Sequence, residues 1–192
     1  MSPRKPPPDS DLIERREILD ETGLTRTLRR IAHEVVERLS ATERPLYFVG
    51  IRTGGAYLAQ RLVSMVTAQG EGNPVLGAVD ISLYRDDVFR GLPKPEIGPT
   101  ELPESIDGRT IILVDDVLFT GRTVRAAMDV LADYGRPRAV KLVALIDRGQ
   151  RELPIQPDFV GVSLQTSASE SVRVMLQERG EVDRVVLRER RT

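Results

Sequence analysis

Two adjacent carboxylates, Asp115 and Asp116, close the apolar run Ile111-Ile112-Leu113-Val114, and Thr120-Gly121-Arg122-Thr123 follows a few residues later. The run has the length and content of a buried strand, while Val124, Ala127, Met128 and Leu131 behind the turn have helical spacing. Consecutive N–H groups in such a turn, together with the helix N-terminus, form a nest for an anion, and the Thr120 and Thr123 hydroxyls add donors to a phosphate. Gly121 permits the close approach that the nest needs. Two negative charges beside a phosphate repel it unless they face hydroxyl groups or a metal ion, and a sugar phosphate meets both conditions. Successive strand residues point to opposite faces, so Asp115 and Asp116 have different roles. One engages ribose hydroxyls, and the other supports the metal shell or the local structure. Each half alone is an ordinary polar strand end or helix cap; the pair in strand, turn and helix context is a site. Competing acidic motifs fit worse, because the chain lacks the Gly-Lys-Ser or Gly-Lys-Thr of a P-loop and an Asp-x-Asp pair, and a receiver domain needs no phosphate-cradling turn.

The elements that must position these residues follow from the same periodicities. Leu24, Leu28, Ile31, Ala32, Val35 and Leu39 make one buried helical stripe, with Arg26, Arg29, Arg30 and His33 on the opposite face. Leu46 to Ile51 reads as a buried strand, followed by the turn Arg52-Thr53-Gly54-Gly55 and a helical stripe at Leu58, Ala59, Leu62, Val63 and Val66. Pro74 to Leu83 reads as a further strand, and the Gly- and Pro-rich stretch from Tyr84 to Asp107 as a flap. Gly135 and Pro137 end the helix after the acid motif, and Ala139 to Ile146 is another apolar strand. Val172, Val174 and Leu176 alternate with polar residues, and with Val185 to Leu187 they predict an appended antiparallel pair. Strands alternating with helices argue for an α/β fold with a mostly parallel sheet covered on both faces, whose ligands sit beyond the carboxyl ends of the strands. The division is a disordered proline-rich arm over 1–10 and a single domain over 11–192.

Composition narrows the chemistry further. The absence of cysteine excludes disulfides, thiolate zinc and a cysteine nucleophile, and a lone histidine, His33, nearly closes histidine-based metal binding. A hard cation held by oxygen atoms stays open. With a net charge of -1, nucleic-acid binding must come from a local patch. The apolar runs fall short of the roughly 20 residues of a membrane span, so the expectation is a soluble, cytoplasmic protein without a membrane partner.

The stretch Asp115-Asp116-Val117-Leu118-Phe119-Thr120-Gly121-Arg122-Thr123 resembles the phosphoribosyl pyrophosphate (PRPP) signature of type I phosphoribosyltransferases, in the version found in the pyrimidine operon attenuator / uracil phosphoribosyltransferase family. Arg30-Ile31-Ala32-His33-Glu34, Asp80 to Asp87, Gly135-Arg136-Pro137 and Asp147 to Ile155 extend the resemblance from Leu24 to about Arg188. It implies the type I fold with a flexible flap loop and a small hood, and attack of a base nitrogen on C1 of the ribose with pyrophosphate leaving. It implies Mg2+ held indirectly, through substrate, at Asp115 and Asp116. By the same resemblance Arg85 closes over pyrophosphate, Arg52, Thr53 and Gly54 contact it, and Thr120, Gly121, Arg122 and Thr123 take the phosphate. Ile146, Asp147 and Arg148 floor the base pocket. Purine enzymes often carry aspartate where Phe119 stands, which favours uracil as acceptor and UMP as product. Some family members also bind the messenger RNA leader of pyrimidine genes, for which Arg26, Arg29, Arg30, His33 and Arg151 are the candidate contacts; a solvated helix face or a subunit interface is the alternative. His33 has no second partner group near the acid pair, so structural or RNA-contact roles outweigh catalysis. The family forms dimers and larger assemblies, which implies a homo-oligomer. Three positions depart from its pattern: Gly54 stands for arginine, Gln150 for histidine and Val162 for lysine. The first bears on one pyrophosphate contact that the resemblance implies, and the last removes one phosphate contact.

Overall fold

The computed structural model describes residues 12–39, 43–84, 99–102 and 105–191. The arm assigned to residues 1–10, Arg85 and most of the assigned flap lie outside the described residues.

Five strands form one wholly parallel sheet in the order β3-β2-β4-β5-β6: β2 (Tyr47–Ile51), β3 (Val75–Val79), β4 (Thr110–Leu118), β5 (Ala139–Asp147) and β6 (Phe159–Ser163). Two helices, α1 (Glu21–Arg38) and α2 (Gly54–Ala68), cover one face against Phe48, Ile112, Val114, Val143 and Leu145. On the other face α3 (Arg122–Tyr134) packs Val124, Ala127, Val130 and Leu131 against Val49, Ile111, Leu113 and Ala144. With both faces covered, the strands need continuous apolar sequence, which is how β2, β4 and β5 read. Each fully buried Leu, Ile or Val contributes about 1.5–3 kcal/mol. Among the described residues no helix is long and apolar enough to cross a membrane.

A second sheet forms the hood and packs Val174 and Val185, with the adjoining Leu176, into the same core as α1 and α2. It is antiparallel, in the order β1-β8-β7, from β1 (Leu12–Leu19), β7 (Glu170–Met175) and β8 (Arg184–Arg190), with a 3-10 turn at Gln177–Arg179 between β7 and β8. The expected pair is thus three strands. β1 escaped detection because its sequence LIERREIL keeps four consecutive exposed positions, so no alternation marks it. β6 had no expectation either.

Other boundaries moved for local reasons. β3 stops at Val79 rather than Leu83, because the Asp80 carboxylate accepts the Ser82 N–H at 2.7 Å and the chain turns there. α1 begins earlier than its apolar stripe, capped by Asp20, whose side chain accepts the Gly23 N–H at 2.6 Å. The base of the flap is pinned on both sides. Ala78 and Glu101 exchange backbone bonds at 2.7 and 2.8 Å, and the Asp80 N–H donates to Thr100 Oγ1 at 3.1 Å. Tyr84 is tied to α3, its hydroxyl donating to Asp133 and its carbonyl accepting from Arg125 at 3.2 Å.

Candidate active site

β4 carries the acid pair out of the core at its carboxyl end, between its parallel neighbours β2 and β5. Asp115 is buried; its Oδ1 accepts the Asp116 N–H at 3.1 Å, and its Oδ2 is buried without any hydrogen-bond partner. Asp116 keeps part of its surface open, and its Oδ1 accepts the Val117 N–H at 2.8 Å. Burial, and then the negative charge of Asp116, push the Asp115 carboxyl well above the usual range. Burial raises Asp116 too, while the Val117 N–H, its own N–H and the charge of Arg179 pull it back. A buried carboxylate oxygen with nothing to accept from is costly unless a ligand or ion completes it.

The turn after β2 is pressed onto these acids. A Cβ on Gly54 would stand 2.1 Å from Asp116 Oδ2, and one on Gly55 would stand 2.2 Å from the Val114 carbonyl oxygen. Glycine is therefore required at position 55, where the obstacle is backbone, while any side chain at position 54, including the arginine of the family pattern, would have to displace the Asp116 side chain. Thr53 precedes α2 without a side-chain cap, so the helix's first N–H groups are available to an outside acceptor. Arg52 starts the turn with its N–H on the Val79 carbonyl at 2.9 Å; its Nε donates to the Pro99 carbonyl at 3.0 Å and its Nη2 lies 3.4 Å from Glu101. Thus one cation stands at the mouth of the site, held by the flap's base.

The turn after β4 is the second cradle. Gly121 has φ 91°, a left-handed conformation that a side chain strains, and Leu153 and Ile155 pack against the place of its missing Cβ at 3.3–3.4 Å. The Thr120 carbonyl is turned toward the 150s loop, accepting the N–H groups of Glu152 and Leu153 at 3.0 and 3.1 Å. The Arg122 N–H reaches Thr120 Oγ1 at 3.4 Å and the Arg125 N–H is bonded to the Gly121 carbonyl at 3.0 Å, which leaves the Thr123 and Val124 N–H groups without an intrahelical acceptor. Thr120 is half-buried, and Arg122 and Thr123 are exposed. Arg122 pairs with Glu152 at 2.6 Å, so part of its charge is already engaged.

The end of β5 and the residue after it hold the three positions expected to floor the base pocket, Ile146, Asp147 and Arg148. Ile146 is fully buried in the core cluster that includes α1 and α2. Asp147 accepts the Gly149 N–H at 2.9 Å and pairs with Arg151 at 2.8 Å. Arg148 is buried, its guanidinium carbon 4.0 Å from the centre of the Phe119 ring; Nε donates to Thr166 Oγ1 at 3.0 Å and Nη2 to the Glu170 carbonyl at 2.8 Å. Desolvation pulls its pKa below the ordinary arginine value. It is a fixed wall behind Phe119.

The candidate RNA face divides. Arg26, Arg29 and His33 are exposed on α1, whereas Arg30 donates to the Val160 and Gly161 carbonyls of β6 at 2.9 and 2.6 Å and pairs with Glu34. Arg151 is committed inside its own loop, to the carbonyls of Phe119, Gly149 and Ile155 at 2.9–3.1 Å. The side chain thus closes a loop, and an RNA contact by Arg151 would have to compete with these bonds. Sequence reasoning also missed Arg61, Glu178 and Asp183, which meet across more than a hundred residues and have no local signal.

Known proteins share the family and the fold of this chain. The phosphoribosyl transferase domain family matches residues 14–179. A "Bifunctional protein PyrR" from Brevibacillus brevis is 48% identical over 178 residues, covering 93% of this chain and 99% of that protein. Another of the same name from Geobacter sp. strain M21 is 50% identical over 171 residues, covering 88% of this chain and 96% of that protein. In structure, the hypoxanthine phosphoribosyltransferase of Trypanosoma cruzi is similar with a TM-score of 0.67 over 93% of this chain and 98% of that chain; at 16% identity this shows the shared fold.

Proposed function

The chain belongs to the phosphoribosyl transferase family, in its bifunctional PyrR branch, and from that premise we propose that it transfers the phosphoribosyl group of PRPP to uracil, forming UMP and pyrophosphate. The observation that carries this reading is the buried, unpartnered Asp115 Oδ2 between two glycine-opened cradles. In the reaction the bond from C1 of the ribose to the pyrophosphate oxygen breaks, its electron pair leaving with pyrophosphate. N1 of uracil forms the new bond to C1, and its proton passes to solvent. Positive charge gathers on the sugar as the leaving group departs and favours the ionised form of the acid pair, and Asp115 and Asp116, their protons given up to solvent, stabilise that charge while accepting from the ribose hydroxyls. Asp115 Oδ2 is the free acceptor for this.

The Thr120 to Thr123 cradle takes the 5′-phosphate, with the Thr123 and Val124 N–H groups as donors. Arg52 and the N–H groups at the start of α2 take pyrophosphate, and Glu101 must then yield Arg52 to it. Phe119, backed by Arg148, offers no acceptor for a purine ring nitrogen, which supports a pyrimidine.

Among the described residues no cluster of three or more carboxylate or histidine groups would cage a metal. The acid pair with its orphan oxygen nevertheless fits a hard cation that substrate oxygens would hold, with Asp115 and Asp116 supporting it indirectly through the ribose hydroxyls they accept from. Magnesium bound in this way supplies Lewis-acid charge to the pyrophosphate oxygens.

Purified protein with magnesium, PRPP and each of uracil, orotate, hypoxanthine and adenine tests the reading. Turnover with uracil is expected; turnover confined to a purine would overturn the acceptor. A second activity, binding of a pyrimidine-gene leader RNA with UMP as co-effector, is favoured by the exposed Arg26, Arg29 and His33 on one helix face. Its affinity should fall steeply as salt rises, because phosphate contacts release counterions. No specific binding at moderate salt would leave the transferase alone.

A further inference from the structure

Helix α2 makes contacts of two kinds. Its first residue, Gly54, is pressed against Asp116. Seven residues on, about 10 Å along the axis at 1.5 Å per residue, Arg61 reaches the hood. Its Nε and Nη2 donate to Glu178 Oε1 and Oε2 at 2.7 and 2.5 Å. Its Nη1 and Nη2 donate to Asp183 Oδ2 and Oδ1 at 2.6 and 2.8 Å. Four of the five guanidinium N–H groups are thus used on two carboxylates, a geometry that only a planar fork can provide.

The cluster is shielded from water. The Arg61 side chain is 14% exposed and that of Asp183 is 7% exposed. Asp183 Oδ1 also accepts the Gln177 N–H at 2.8 Å, which fixes the start of the 3-10 turn. Arg61 holds both carboxyls below their usual range. Without it, two neighbouring carboxylates would be left without their cation.

Glu178 and Asp183 both lie in the connection between β7 and β8, so Arg61 ties down that end of the hairpin. The beginning of β7 is tied down by Arg148, whose Nη2 donates to the Glu170 carbonyl at 2.8 Å while the guanidinium lies over Phe119. Between these anchors Val174, Leu176 and Val185 pack into the core. The proposed phosphate and pyrophosphate donors all lie on loops of the parallel sheet. Phe119, on the acceptor side, is instead linked through Arg148 to the hood.

We propose that Arg61 is a positioning residue that sets the hood hairpin against the acid end of the sheet and thereby governs how the acceptor base is held, without touching substrate. This rests on the transferase reading. Arg179 rides on the same turn, and its charge reaches Asp116, which fits a hood placed close over the acids.

The test compares the parent chain with Arg61→Gln, Arg61→Lys and the neutral combination Arg61→Gln, Glu178→Gln, Asp183→Asn. KM for uracil, KM for PRPP and kcat are measured alongside thermal melting and amide hydrogen exchange. Arg61→Gln is expected to raise the uracil KM about tenfold or more, in the range that misplacement produces, with the PRPP KM within about twofold. Arg61→Lys should recover only part, since one ammonium cannot bind both carboxylates side on. The neutral combination should melt nearer the parent than Arg61→Gln does and still show the raised uracil KM. An unchanged uracil KM, or equal rises in both KM values that track the melting temperature across the variants, would overturn the proposal. If the parent turns over no base, the transferase reading fails and exchange decides the hood placement. Faster exchange in β7, the turn and β8 of Arg61→Gln, with β2 and β4 unchanged, upholds it; unchanged exchange sinks it.

Discussion

Asp115 is where stability and chemistry oppose each other. In an unfolded chain it titrates near 3.9. In the fold, burial and the charge of Asp116 hold it well above that value. Between the two values the unfolded chain has lost the proton and the folded chain keeps it, so the folded state loses stability as pH rises through that window. Asparagine carries no such penalty. Asp115→Asn should therefore gain melting temperature over the parent as pH rises from about 4 to neutrality, with a smaller difference at lower pH. Its turnover should fall by about 100-fold or more, as when a charge-stabilising group is removed. Melting curves at acid and neutral pH, with initial rates at neutral pH, check both halves; a variant less stable than the parent at neutral pH would contradict the assigned burial cost. The pair itself was legible in the sequence because both halves of the motif are local. Arg61 was not, because its partners lie 117 and 122 residues away.

The start of α2 distinguishes two glycines that look alike in sequence. A Cβ on Gly55 meets the backbone oxygen of Val114, which belongs to the central strand and cannot move aside. A Cβ on Gly54 meets the Asp116 side chain, which can rotate by giving up the Val117 N–H. Gly55→Ala should accordingly destabilise by the larger amount, about 3 kcal/mol at the upper end of overpacking costs, and Gly54→Ala by about 1 kcal/mol. Activity should order differently, with Gly54→Ala losing far more turnover than its stability loss explains. Denaturant unfolding and initial rates separate the two; equal effects on both properties would mean that the turn is less tightly set than its contacts indicate. At this scale periodicity served the buried elements well. β2, β4, β5, α1 and α3 show their apolar runs or stripes plainly, because each has an apolar face or core to satisfy. The turn residue Asp80 and the charged strand β1 escaped, since a side chain bonding its own backbone and a strand with little buried surface leave no periodic trace.

Across the whole molecule the hood is built from the two ends of the described chain. β1 pairs with β8 from Leu12↔Arg190 to Leu19↔Val185, and β8 then pairs with β7, so β8 is the central strand. The ion pairs Arg15–Glu189 and Arg184–Glu14, at 2.8 Å each, are largely open to solvent and contribute at most about 1 kcal/mol apiece. What β1 supplies is a covered edge. Removing residues 1–19 would leave the β8 backbone unpaired along one side and open to strand addition from another chain. The strand pairing of the parallel sheet and both cradles use none of β1, which gives the core only Ile18 and Leu19, whereas the hood sheet depends on it. Such a truncation should therefore keep the helical circular dichroism signal and PRPP binding, measured by calorimetry, while losing uracil turnover and gaining a concentration-dependent larger species in size-exclusion chromatography. Loss of PRPP binding together with the helical signal would show instead that the hood and the parallel sheet fold as one unit, and the separate role of the hood would fall.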